Sequence, residues 1–336
     1  LDASCRESAI SRAASLSAFA AGPLHLPASA IAIAQRGILE TVVLGLAGST
    51  QDGIPALARL ARDDHSAGPS MVWDGGPGLS SSGAALVNAT SASALDYDSL
   101  YASVHSDAMI VPIALAVGEA VGASGRQVLE AYAVGVEIMA RLARAAEPPQ
   151  RGWTHTAVFG VFGAAATAGR LMKLPAERLN QAFGVALSLA AGSQQTNVEQ
   201  VLTKRLQPGL AARSGIFAAG AVREGFTAPA DWLQGRAGLW HLYQPGDAQR
   251  VCEGLGEIFY FTEAILKAYP VCSCSHAAIE ALRRILQREP LAPDAIESVT
   301  VELTPFMAHM VGAPFSPGDN PVVTALYPAL LLLEFH

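Results

Sequence analysis

The chain has 336 residues, 51% of them apolar and 15% charged, with a net charge of −7. That balance builds a large core and excludes a disordered chain. No basic run is present, which excludes broad contact with nucleic acid, because phosphate neutralisation needs clustered Lys and Arg.

From Ser11 to about Arg62, apolar residues such as Ile31, Ile38, Val42 and Leu46 recur at helical spacing and predict two helices, broken at "LAGSTQDG". "GPSMVWDGGPGLSSSG" is a turn-rich connection, and a further helix starts near Ser81. "MIVPIALAVGEAV" and "GRQVLEAYAVGVEIMARLARA" follow as helices separated by glycines, then "ERLNQAFGVALSLAAG" and "GLAARSGIFAAGAVREGF". Ala and Gly crowd all of them, and small residues at helical spacing let backbones approach closely. Through about residue 245 there is almost no strand alternation. Beyond it the texture changes: Ile296, Val299, Val301 and Leu303 form a strand-like run after the helix "SHAAIEALRRILQRE". The fold class read here is mainly α. An all-helical domain over 1–245 carries a smaller α+β domain over 246–320, with 321–336 beyond it.

No stretch reaches membrane-spanning length, the longest candidate being Thr156 to Gly169, and no signal peptide is visible, although the chain starts without Met. Four scattered cysteines make no disulfide framework and fit a reducing, cytoplasmic setting. "VCSCSH" lacks the second ligand pair of a zinc site, so no metal is expected. The dinucleotide fingerprint, the phosphate-binding loop, the nucleophile elbow and the HExxH zinc motif are all absent.

Polar side chains stand out in four apolar settings: Asp96, Asp98 and His105 in "ALDYDSLYASVH", His155 in "RGWTHTAVFG", Lys204 in "VLTKRLQPG", and Lys267 with His276 in "KAYPVCSCSH". Each has a plain structural reading. The aspartates can cap a helix, His155 can cap or pack, Lys204 can pair with solvent beside Arg205, and His276 can simply start a helix. Together they form a set suited to moving a proton beside a carboxylate. A histidine titrating near neutrality serves as base, and a cation holds the carboxylate and the enolate-like charge.

In these segments, and in "TKRLQPGLAARSGIFAAGAVREGFTAP", the chain resembles the MmgE/PrpD family through nearly its whole length. The family includes 2-methylcitrate dehydratases, cis-aconitate decarboxylases and an iminodisuccinate epimerase. The resemblance implies a large all-helical domain with a smaller α+β lid, 321–336 as the start of a return to the helical domain that stops short, an active site in the cleft between the domains, a homodimer, no cofactor, and no nucleic-acid or membrane partner. It implies a cofactor-independent lyase of dehydratase type acting on a small polycarboxylate, with an epimerase, a decarboxylase or a non-catalytic helical dimer as alternatives. It makes His105 and His155 the acid–base pair, has Asp96 orient His105, and gives Lys204, His276 and Lys267 to substrate carboxylates. Two departures stand out. Many members read Asp-Phe-Asp-Asp-Thr where this chain has "DYDSL", so Ser99 and Leu100 replace an acid and a threonine. Tyr327 is the candidate for an active-site tyrosine near the end of the chain.

Overall fold

In the computed structural model, residues 3–148, 152–289 and 292–311 are described; Tyr327 and the return segment over 321–336 lie outside them. The chain divides into two units. The first comprises residues 1–94, 98–196 and 202–266, and the second residues 95–97, 197–201 and 267–336.

The first unit is helical. Its elements are α1 (Ala3–Ala21), α2 (Ala28–Gly48), α3 (Ile54–Asp64), the short strand β1 (Ala67–Ser70), α4 (Ser81–Ala92), α5 (Asp107–Val121), α6 (Gly125–Ala145), α7 (His155–Leu171) and α8 (Ala176–Leu189). The chain then makes the single turn α9 (Gln195–Val198), whose last two residues are assigned to the second unit, and the first unit continues with α10 (Thr203–Arg223), α11 (Leu239–Leu242) and α12 (Ala248–Cys252). The stretch expected to hold two helices up to Arg62 holds three, because "GPLHLP" ends the first: Pro23 and Pro27 cannot donate to a helical ladder.

Helix α7 is central, packed by α10, α6, α5, α8 and α1. Every residue in it except Arg170 is buried. A helix apolar on all sides has no solvent face to present, so it becomes the axis around which the others pack. Glycine makes that packing close. A Cβ on Gly135 of α6 would sit 3.0 Å from the carbonyl oxygen of Gly163 in α7, and one on Gly163 would sit 2.7 Å from that of Gly135. On the other side of α7, a Cβ on Gly215 of α10 would fall 2.2 Å from the Ala164 Cβ.

Helix α2 is long and apolar enough, by length and composition, to cross a membrane, which the sequence reading did not anticipate. One stripe of it, Ala30, Ala34, Gly37, Thr41, Leu44 and Gly48, is buried, and the helix packs on α4 and α5. That places it as a wall of the helical core.

The segment from 246 to 266 belongs to this unit. The cause is a buried ion pair on α6. Glu137 and Arg141, both fully buried, lie 2.7 Å apart. The Arg141 guanidinium donates to the carbonyls of Val251, Glu253, Gly254 and Ile258, while Glu137 accepts from the Phe261 N–H at 3.1 Å. Buried charge is costly unless it is bonded, and this segment supplies four carbonyls and one N–H to the pair.

The second unit holds α13 (His276–Arg288) and α14 (Pro305–Val311). The expected strand over Ile296–Leu303 does not form: these residues are in no ladder among the described residues, and Val299 is exposed. Alternation alone fixes only a face, and a strand also needs a neighbour to bond. Among the described residues 62% are helical and 5% strand, which makes the fold mainly α.

Candidate active site

Two sets of candidate side chains are built locally, one in each unit. In the first unit they converge on the loop from Asp98 to Asp107. Leu100 and Ile265 exchange both backbone bonds, and so do Tyr101 and Val104, which folds the loop into a tight turn with Ala102 at φ +49°. The loop then reaches α7 twice. Ser103 Oγ lies 2.7 Å from His155 Nδ1, and the His105 N–H donates to Thr156 Oγ1 at 3.0 Å.

His155 is the first residue of α7 and is buried, its ring tilted against Phe159 with centroids 4.8 Å apart. Its Nε2 is buried without a hydrogen-bond partner. Burial lowers its basicity, and Gln244 beside it offsets part of that. The ring is therefore neutral near pH 7. Ser103 Oγ and Nδ1 share a hydrogen bond whose direction follows the tautomer, and in the Nδ1–H tautomer Nε2 presents a lone pair.

Asp98 Oδ2 lies 3.1 Å from His105 Nδ1, with Asp98 buried and His105 partly open. The carboxylate in contact with the His105 ring is that of Asp98, two residues beyond Asp96. Below the loop, Asp107 is fully enclosed, accepting from Ser99 Oγ at 2.5 Å and from Tyr132 Oη at 2.8 Å. Burial raises its pKa, and burial together with the charges of Asp107 and Asp98 pushes Glu40 up to about 6. Ser99 thus has a defined role in this chain. An acid in its place would set a second carboxyl against a buried one, at a cost in charge repulsion and desolvation. Lys204 is half-buried in the first turn of α10.

In the second unit, Lys267 is buried and donates to both the carbonyl (2.6 Å) and Oδ1 (3.1 Å) of Asp96. Asp96 has φ +48°, a region that costs a non-glycine residue strain and that the lysine holds in place. His276 starts α13 with its ring edge-on to Tyr269 at 5.4 Å. Its Nε2 is buried without a partner, and burial lowers its basicity, with the backbone at Val271 offsetting that. Cys272 and Cys274 are not joined in a disulfide, and Cys274 is held protonated chiefly by its hydrogen bond with Cys272.

The sequence reading missed Ser103 and Asp107. Ser103 had a signal in its place two residues before His105, but nothing in "YASVH" says which hydroxyl meets a histidine 52 residues away.

Residues 16–251 match the MmgE/PrpD N-terminal domain. The chain belongs to the MmgE/PrpD family. It is 27% identical over 318 residues to a cis-aconitate decarboxylase-like protein of Aspergillus oryzae, covering 87% of this chain and 66% of that one. It is 24% identical over 283 residues to the cis-aconitate decarboxylase of Aspergillus terreus, covering 79% and 58%. With the human cis-aconitate decarboxylase it shares 29% over 229 residues, covering 65% and 47%. The chain therefore spans about half to two thirds of the length of these MmgE/PrpD relatives.

Proposed function

We propose that the protein is a cofactor-independent lyase that moves a proton at a carbon beside a carboxylate of a small polycarboxylate, with His155 as the proton-transfer group. One observation carries this reading: a buried imidazole whose Nδ1 is fixed by Ser103 and whose Nε2 is left without a partner. An imidazole kept neutral by burial is ready to accept a proton, and an arriving polyanion raises its pKa so that it can also deliver one. His105, oriented by Asp98, is the second acid–base group, and Lys204 binds a carboxylate. His276 and Lys267 keep the carboxylate-binding roles that family resemblance gives them.

Among lyase reactions, decarboxylation comes first because the relatives named above carry that activity in their names. On cis-aconitate, the saturated arm loses CO2, its bonding pair forms a new CH2=C group, and the displaced pair at the former vinyl carbon takes one proton from imidazolium. Dehydration is the second reading, favoured by the neutral state of His155, which suits abstraction. There an α-proton goes to His155 and hydroxide leaves as water with a proton from His105. Proton NMR in D₂O with cis-aconitate and with citrate tests both. A CH2=C product carrying one deuterium on its saturated carbon supports decarboxylation, and formation of cis-aconitate from citrate supports dehydration. Exchange without net product would instead indicate an epimerase. No exchange with either, in protein of native melting behaviour, would overturn the lyase reading.

A further inference from the structure

A cavity of about 600 Å³ opens in the first unit where α1, α5, α7 and α10 end. None of its lining comes from the 98–107 loop or the His155 turn. Its charged lining is Glu130, Arg170, Lys173 and Arg223, three cations to one carboxylate in a chain whose net charge is −7. Arg170 is already committed, donating to the carbonyls of Ala20 and Gly22 and to Glu130. Glu130 is further engaged by Arg126 at 3.1 Å. Arg223 pairs through its Nε with Glu224 at 3.2 Å, which leaves its terminal nitrogens and the Lys173 ammonium as the uncommitted donors.

Basic residues at helix ends often do no more than offset the carbonyl end of the helix dipole. Lys173 does not fit that explanation. It follows the last turn of α7 at φ +58°, the position where helices ordinarily place glycine. Its own N–H bonds to the Arg170 carbonyl and the Leu174 N–H to that of Gly169, so the backbone closes the helix end without the side chain. No described residue pairs with the Lys173 ammonium. One of only three lysines in the chain therefore stands at a strained position that glycine would fill at lower energy. Gln127 completes the set: its Oε1 accepts from Ser124 in a capping box, which turns its Nε2 donors outward.

We propose that this cavity binds a small multivalent anion bearing carboxylate or phosphate groups, held by Lys173, Arg223 and Gln127. The volume suits a small metabolite. The inference is independent of the reaction assigned to His155.

The test is isothermal titration calorimetry of the whole protein at low ionic strength, where exposed charges are least screened, with citrate and with pyrophosphate. The expected result is saturable binding of at least one anion, weakened about tenfold or more in Lys173→Gly and in Arg223→Gln and unchanged in His155→Asn. Citrate as the tighter ligand assigns the cavity to the protein's own proposed substrate class, and pyrophosphate assigns it to phosphorylated ligands. Lys173→Gly should also raise the ligand-free Tm by about 1–2 °C, which shows that lost binding is not lost folding. No saturable binding of either anion to the wild-type protein, equal binding in both cavity variants, or loss of binding in His155→Asn would each overturn the proposal.

Discussion

His155 and His276 occupy the same local position, the first residue of a helix, and share a buried Nε2 and a basicity lowered by burial. What surrounds them differs. His155 opens a helix buried on every side, and a hydroxyl fixes its other nitrogen. His276 opens a strongly amphipathic helix whose only buried residue is Ile279, and its ring rests against one tyrosine. A helix terminus can thus aim a side chain, but only the packing behind it sets how firmly. We assign proton transfer to the rigid histidine and binding to the looser one on that ground.

Five substitutions test the contrast. The largest effect is expected for His155→Asn, with kcat/KM falling about 10²–10⁴-fold at unchanged helical content by circular dichroism. A loss under threefold would end its proton-transfer role. Next is Gly215→Ala, which drives a methyl into Ala164 and should cost about 1–3 kcal/mol in chemical denaturation. No loss would mean that α7 is not rigidly held. His276→Asn should raise KM about tenfold with kcat nearly kept; the reverse split would exchange the roles of the two histidines. Ser103→Ala should lower kcat by about tenfold or less. In the wild-type protein, burial places the acid limb of the kcat/KM profile below 6.5, because activity appears as His155 loses its proton, and Ser103→Ala should move that limb. An unmoved limb would separate the limb from His155. Smallest is Ile285→Ala on the exposed side of α13, expected within about 0.5 kcal/mol of wild type by the same denaturation.

The helical unit was legible because its signal is local: apolar periodicity, Gly/Ala spacing and proline breaks each act within a few residues. His155 and His276 stood out because the sequence around each changes abruptly from polar to apolar. What the sequence could not carry was long-range pairing. Asp98, Ser103 and Asp107 acquire meaning from contacts across the loop and with α6 and α7, and Arg141 from carbonyls more than a hundred residues later. The missing strand near Val299 has the same cause, since a ladder is a property of two segments.

The Arg141 clamp also bears on where this protein can be cut. The family match ends at residue 251, a natural place to stop an expression clone. Such a truncation would keep Glu137 and Arg141 in the core. It would delete the carbonyls of Glu253, Gly254 and Ile258 and the Phe261 N–H that satisfy them. The fragment ending at 251 is expected to aggregate, whereas one ending at 266 retains every partner of the pair. The folding unit is thus longer than the unit conserved sequence similarity delineates.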